Sequence, residues 1–214
     1  MAGCGSGVGN DANQAQRIID QVRKEHVPDK RVEVFDVSVQ GERGGIVLSG
    51  EMQEATLVSL VVDSIKAALP DTRVVDEIAI LPQARLREKS FGIVKISVAN
   101  LRKEPKFQAE LVNQALLGTG VRILKERKSF YYVQNFYDNY LGWMSKGSVV
   151  RTDSSGYAMW NHSERVMCVA NYAAVVDLES AADGGFLVDM VPGAILKRLG
   201  KRANFIKVET PDGR

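Results

Sequence analysis

Hydrophobic and polar positions recur along this chain with two periods, and each change of period marks a new element. Ile18, Ile19, Val22 and His26 fall at helical spacing, and Pro28 predicts the end of that helix. Val32, Val34, Val37 and Val39 alternate with polar residues, which predicts a half-buried strand with one slip near Phe35. A glycine-rich turn, "GERGG", leads into a partner strand, "IVLSG". Leu57, Leu60, Val61, Ile65 and Leu69 share one face of a second helix, Gln53 to Leu69, which Pro70 and Asp71 end. "RVVDEIAIL" then predicts a third strand, and the order helix, strand, strand, helix, strand closes at Pro82.

Past the charged connector "PQARLREKS" the period shortens to that of strands. "GIVKISVANLRKEP", "ALLGTGVRILKER", "SFYYVQN" and "YLGWMSKGSVVR" predict a meander of short strands. A small barrel is the expected form, because closure buries edges that an open sheet leaves exposed. A helical linker, "SGYAMWNHSE", follows, and the plan then repeats. Val98-Ala99-Asn100 recurs as Val169-Ala170-Asn171, "GTGVRILK" as "VPGAILKRL", and "FYYVQ" as "FIKVE". The second copy runs to Arg214 without a counterpart of Tyr140-Leu141-Gly142-Trp143, so its barrel is expected to be incomplete and the chain to be part of a longer protein. The expected division is a tether over 1–14, an α/β unit over 15–82, a first barrel over 83–152, a linker over 153–164 and a second barrel over 165–214.

Composition narrows the chemistry. A chain of 214 residues suits two or three modest domains. The net charge is +2, and the 28 basic residues are interleaved with 26 acidic ones, which argues against a nucleic-acid partner. The two cysteines, Cys4 and Cys168, and the two histidines, His26 and His162, exclude a disulfide framework and a Cys-rich zinc site, so neither metal nor cofactor is expected. No apolar run approaches the roughly 20 residues of a membrane span. Cys168 lies in the apolar stretch "RVMCVAN", without a helix start to activate it, and reads as a small buried hydrophobe. His162 reads as a surface or packing residue, and no catalytic residue is expected in this chain.

The order of elements over 15–82, with "GIVLSGEM" before the second helix, resembles a BON-type domain, a non-catalytic module of envelope proteins and phospholipid surfaces. "VANLRKEP", "AELVNQALLGT" and "VQN" followed by "NYLGW" resemble the bacterial SH3-like (SH3b) domain, in the version carried by NlpC-type cysteine peptidases that cut peptidoglycan peptides. Together the resemblances imply an α+β chain: a BON-like sandwich, then two small SH3-like barrels, the second incomplete. "MAGCGSG" reads like the end of a bacterial lipoprotein signal, which would make Cys4 a lipid anchor at a membrane, Gly5 to Asn13 its tether and the location extracytoplasmic. A plain N-terminus is the other reading.

In the peptidase family the SH3-like units precede a catalytic domain with an Asp-Cys-Ser-Gly motif, which this sequence lacks. The resemblance therefore implies a catalytic domain beyond Arg214. It also implies that the first SH3-like unit helps form the pocket for the free amino end of L-Ala-D-Glu stem peptides. Glu110 matches an acid that the family keeps in the loop after the proline, and Tyr140 and Trp143 match its aromatic motif; the implied role of all three is ligand binding. Each also has a structural reading, Trp143 as barrel core and Glu110 as a solvated acid. Asn100, Arg102 and Glu104 serve either a ligand or the backbone of their own loop. The second copy lacks the Leu-Arg-x-x-Pro of the first and an acid placed like Glu110, and is expected to be structural or to dock a neighbouring domain. Two functions follow: the stem-peptide recognition region of a cell-wall peptidase, or a non-catalytic envelope adaptor for peptidoglycan or membrane-surface components.

Overall fold

In the computed structural model, which describes residues 6–177 and 185–214, the chain forms two compact units, Met1–Ala84 and Arg85–Arg214. Cys4 lies outside the described residues.

The first unit runs α1 (Ser6–His26), β1 (Phe35–Glu42), β2 (Gly45–Met52), α2 (Ala55–Ala68) and β3 (Arg73–Ile80). The sheet order is β1-β2-β3; β1 and β2 form an antiparallel hairpin, whereas β3 returns through α2 to lie parallel to β2. Ile19 and Val22 of α1, Val58, Val61 and Ile65 of α2, and Phe35, Ile46, Leu48, Met52 and Ile78 of the strands fill one core. Val58 takes the inward place on α2 that periodicity gave to Leu60, which is exposed.

Two expectations shift here. The helix begins at Ser6, so most of the stretch read as a tether is helical. Asp11 accepts a hydrogen bond from the Thr72 hydroxyl at 2.8 Å, and Ala12 packs on the core. Tertiary contacts therefore override the low helix propensity of this Gly- and Asn-containing run. The first strand begins at Phe35 rather than Arg31, because Val34 directs its N–H to the Gln53 side chain at 2.8 Å instead of to a strand.

The second unit starts with β4 (Phe91–Val94), β5 (Val98–Arg102), β6 (Leu111–Leu116), β7 (Gly120–Arg127), β8 (Phe130–Asn135), β9 (Leu141–Ser145) and β10 (Val149–Thr152). These form one antiparallel sheet in the order β10-β4-β7-β8-β9-β5-β6. Every strand contributes to a single core, from Val94 through Ala99, Leu101, Ala115, Ile123, Val133 and Met144 to Val149, so the sheet curls around it. Then come α3 (Ser154–His162), β11 (Arg165–Met167), β12 (Ala173–Asp177), β13 (Gly185–Met190), β14 (Ile195–Arg202) and β15 (Phe205–Glu209). They give a three-stranded sheet, β11-β14-β15, and the hairpin β12-β13. The overall class is mixed α and β, with strands dominant in this unit.

The sequence repeat has a backbone counterpart. Gly118 and Gly193 both adopt positive φ, +83° and +89°, the left-handed region that favours glycine. Gly118 N–H donates to Val94 O while Val94 N–H donates to Thr119 O; Gly193 and Cys168 repeat the first bond, and Cys168 and Ala194 the second. The hairpins β7-β8 and β14-β15 each carry a bulge, at Leu124 and Leu199, and a positive-φ turn residue, Lys128 and Ala203. The match of Val98-Ala99-Asn100 to Val169-Ala170-Asn171, however, is out of register. Val169 is outside any strand and exposed, and the cross-strand pair Ala99–Ala115 corresponds to Ala173–Met190.

α3 does more than link. Asp153 caps it by accepting from Gly156 N–H at 2.7 Å, and Trp160 is buried in a core with Ile93, Leu117, Cys168, Val188 and Leu196. Ile195 N–H donates to Leu117 O at 2.9 Å, so main chain from the two repeats is joined directly.

Candidate functional site

The strand register of the first repeat lays a row of side chains across five strands. Lys125 on β7 pairs with Tyr132 on β8, Tyr132 with Trp143 on β9, Trp143 with Arg102 on β5, and Arg102 with Leu111 on β6. Residues directly opposite in a sheet share a face, so these five lie together. All are half-buried except Leu111, which is exposed. The Tyr132 and Trp143 rings meet at 5.0 Å between centroids and tilt by 48°, while Lys125 Nζ stands 5.3 Å from the first and 6.0 Å from the second. The result is an aromatic shelf with a cation at one end and Arg102 beside it.

Trp143 is therefore on the shelf and not within the core, where Met144 and Val133 sit instead. Glu110 precedes Leu111, at the end of the loop that leaves β5. It is exposed and pairs with Lys103 at 3.1 Å, while its carbonyl accepts from Lys103 N–H. Arg102 closes the same loop, donating through Nη1 to Ala109 O at 2.7 Å. Glu104 pairs with Lys106 at 2.8 Å, and that hydrogen-bonded ammonium holds its carboxyl below the usual range. Phe107, at the loop's tip, rests on Phe130 at 5.0 Å. Asn100 accepts from Gln114 Nε2 at 2.9 Å.

Tyr140 stands apart from this row, in the turn that enters β9. Its N–H donates to Asp138 Oδ1 at 3.0 Å, and Asp138 Oδ2 accepts from Asn113 Nδ2 at 2.6 Å. The register thus sets Trp143 opposite Arg102 and Arg102 opposite Leu111; Glu110 lies one residue before β6, paired with Lys103, and Tyr140 one residue before β9. Tyr132 and Lys125 were not singled out by sequence. Tyr132 lies in "FYYVQN" and Lys125 in "GVRILKER", but the bulge at Leu124 decides which residue of β7 faces Tyr132.

Cys168 is buried, with Sγ–H directed to Ala170 O at 3.3 Å, and the His162 ring bonds Ala158 O at 2.8 Å. Among the described residues no three His, Cys, Asp or Glu gather as a metal site.

No curated protein matches the chain. Among solved structures it is similar to an NlpC/P60 family protein from Bacillus cereus ATCC 10987, at 16% identity and a TM-score of 0.49 over 58% of this chain and 52% of that one. It is also similar to an NlpC/P60 endopeptidase from Photobacterium damselae subsp. piscicida, at 15% identity and a TM-score of 0.44 over 61% of this chain and 33% of that one. The chain thus spans about half of the first of these proteins and a third of the second. Residues 101–149 match the family model described as the bacterial dipeptidyl-peptidase Sh3 domain. These residues run from β5 to the start of β10 and carry Arg102, Glu110, Tyr132, Tyr140 and Trp143, so this chain contains a bacterial SH3 domain of the dipeptidyl-peptidase type.

Proposed function

We propose that this chain is a cell-wall recognition region that works beside a peptidoglycan-cleaving cysteine peptidase domain, with its SH3 domain contributing to the pocket for the free amino end of L-Ala-D-Glu stem peptides. The observation that carries the reading is the family match over 101–149, coinciding with the aromatic shelf and the acid-bearing loop beside it. Glu110 supplies the carboxylate for the ligand's ammonium, and Tyr140 and Trp143 supply apolar walls. Glu110 already holds one ammonium, that of Lys103, on an exposed surface. Exchanging that partner for the ligand costs little, since such pairs contribute about 0–1 kcal/mol. Arg102 and Lys125 flank the shelf as cations and offer partners to the carboxylates of a D-Glu stem.

In the same reading the first unit is a BON-like module. Its α-β-β-α-β order supports this, and Cys4 would tether the whole to the membrane in an extracytoplasmic location. The region 165–214 is a second, divergent SH3-like copy, supported by the repeated glycine turn and bulge. Neither nucleic acid, metal nor cofactor enters the proposal.

Titration of the chain with a synthetic L-Ala-D-Glu-containing peptide tests it. Glu110→Gln is expected to weaken binding about tenfold, the loss of one charge-assisted hydrogen bond. Unchanged affinity in Glu110→Gln would remove the assigned role. Binding to intact sacculi with no affinity for the free peptide would favour the adaptor function instead.

A further inference from the structure

The excess of basic over acidic residues lies wholly within 85–214; residues 1–84 carry more acids than bases. In the second unit one sheet face concentrates that charge. Arg165 on β11 stands opposite Lys197 on β14, and Lys197 opposite Glu209 on β15. In the next rows Gly200 stands opposite Lys207, and Arg202 opposite Phe205. Residues directly opposite share a face, and alternate residues of one strand return to it. Leu196 is buried and Val208 packs on the same core, so their neighbours Lys197, Lys207 and Glu209 point the other way, outward.

Folding does not account for this arrangement. Like charges directly opposed, as Arg165 and Lys197 are, weaken a sheet. Glu209, the one acid of these rows, pairs with Lys197 at 3.1 Å, and the adjacent Arg198 pairs with Glu164. Arg165, Arg202 and Lys207 are exposed and have no carboxylate partner among the described residues; Arg165 donates to the neutral side chain of Asn161 at 3.1 Å. The first repeat fills the same places differently. Phe91, opposite Arg122 as Arg165 is opposite Lys197, stacks on Tyr157 at 5.4 Å, while Tyr132 stands where Lys207 does and Lys125 where Gly200 does. The second repeat thus carries cations at both aromatic places and no side chain in the middle. No atom lies within 4 Å of a Cβ at Gly200, so the space over the centre of the face is open.

We infer that this face of the second repeat binds a flexible linear polyanion, a chain with repeated phosphate or carboxylate groups, through Arg165, Arg202 and Lys207. Strand spacing of about 4.8 Å and a rise of about 3.4 Å per residue set Arg202 about 8 Å and Arg165 about 12 Å from Lys207, main chain to main chain. That spread suits repeated charges along a chain rather than one compact anion. The two guanidinium groups offer paired donors to each anionic group, and the Lys207 ammonium a point charge. The inference does not depend on the role of Glu110.

The test titrates the full chain with short-chain inorganic polyphosphate and with poly-L-glutamate at several salt concentrations. Binding of at least one is expected, with affinity falling steeply as salt rises, and the tighter polymer names the anionic group. Arg202→Gln combined with Lys207→Gln is expected to weaken it at least about tenfold. Arg127→Gln combined with Lys128→Gln makes the same change of charge on the corresponding hairpin of the first repeat and should alter affinity less than about twofold. All four side chains are exposed, so both variants should keep the circular dichroism of the parent chain. Several results would overturn the assignment: binding to neither polymer, equal losses in the two double variants, or free phosphate or glutamate competing as well as its polymer. Tighter binding to single-stranded DNA or to anionic lipid vesicles than to either polymer would overturn it too.

Discussion

Trp160 donates its indole N–H to the carbonyl oxygen of Gly118 at 3.1 Å, across the junction between the two repeats. Gly118 also gives its own N–H to Val94 O, and Leu117 beside it accepts from Ile195. The helix that carries Trp160 is thus a wedge, holding the first repeat's glycine turn against the strand that opens the second repeat's hairpin. Trp160→Ala should destabilise the second unit by about 3–5 kcal/mol, the usual cost of emptying a buried aromatic site. Trp160→Phe should cost less, about 1–2 kcal/mol, since one buried carbonyl loses a donor. Urea unfolding monitored on the second unit separates the two values.

The two glycine turns should respond unequally to a methyl group. At Gly118 a Cβ would stand 1.9 Å from Ile195 O, a main-chain atom that cannot yield without parting Leu117 from Ile195. At Gly193 the nearest atom is Leu116 Cδ1 at 3.1 Å, the end of a side chain that can move. Both substitutions incur the positive-φ strain of about 1 kcal/mol. Gly193→Ala should therefore cost about 1–2 kcal/mol and Gly118→Ala at least about 3 kcal/mol. Thermal unfolding of both variants checks the order.

Acid should weaken the second unit through Glu126. Its carboxylate accepts a hydrogen bond from Lys146 and pairs with Arg85 at 3.2 Å, while Lys146 also lies 4.9 Å from the Tyr131 ring. The Lys146 hydrogen bond, followed by the charges of Lys146, Arg85 and Arg151, holds the Glu126 carboxyl below its ordinary value, against the opposing effect of burial. A carboxyl lowered by folding contributes stability that is fully present above its unfolded pKa, near about 4.3, and is lost as pH falls through the folded value. Glu126→Gln should then cost about 1 kcal/mol at neutral pH and nothing in strong acid. Unfolding curves of both proteins at several pH values measure that convergence.

Much of the fold was legible because each element has a local cause. Pro28 and Pro70 follow the two helices of the first unit, and the repeat in "GTGVRILK" and "VPGAILKRL" marks the same glycine turn twice. What escaped depends on non-local terms. Ser6 to Asn13 lack helix-favouring composition, yet Ala12 has a core to pack on and Asp11 a partner in Thr72. The repeated Val-Ala-Asn misled because three-letter identity is weaker evidence than which residue pairs across the sheet. For the site, Trp143 and Glu110 were visible as residue types in a motif. The pairing of Trp143 with Arg102, and the place of Tyr132 and Lys125, follow from register and a bulge that composition does not encode.

The most direct test of the proposed function is a heteronuclear NMR titration of the isotope-labelled chain with one stem peptide in two forms, free-amine and N-acetylated. Acetylation removes only the ammonium that Glu110 is proposed to meet. The expected result is a set of shifts centred on Glu110, Tyr140 and Trp143 for the free amine, with affinity at least about tenfold weaker for the acetylated peptide. Equal affinity for the two forms, or shifts confined to residues outside 101–149, would contradict it.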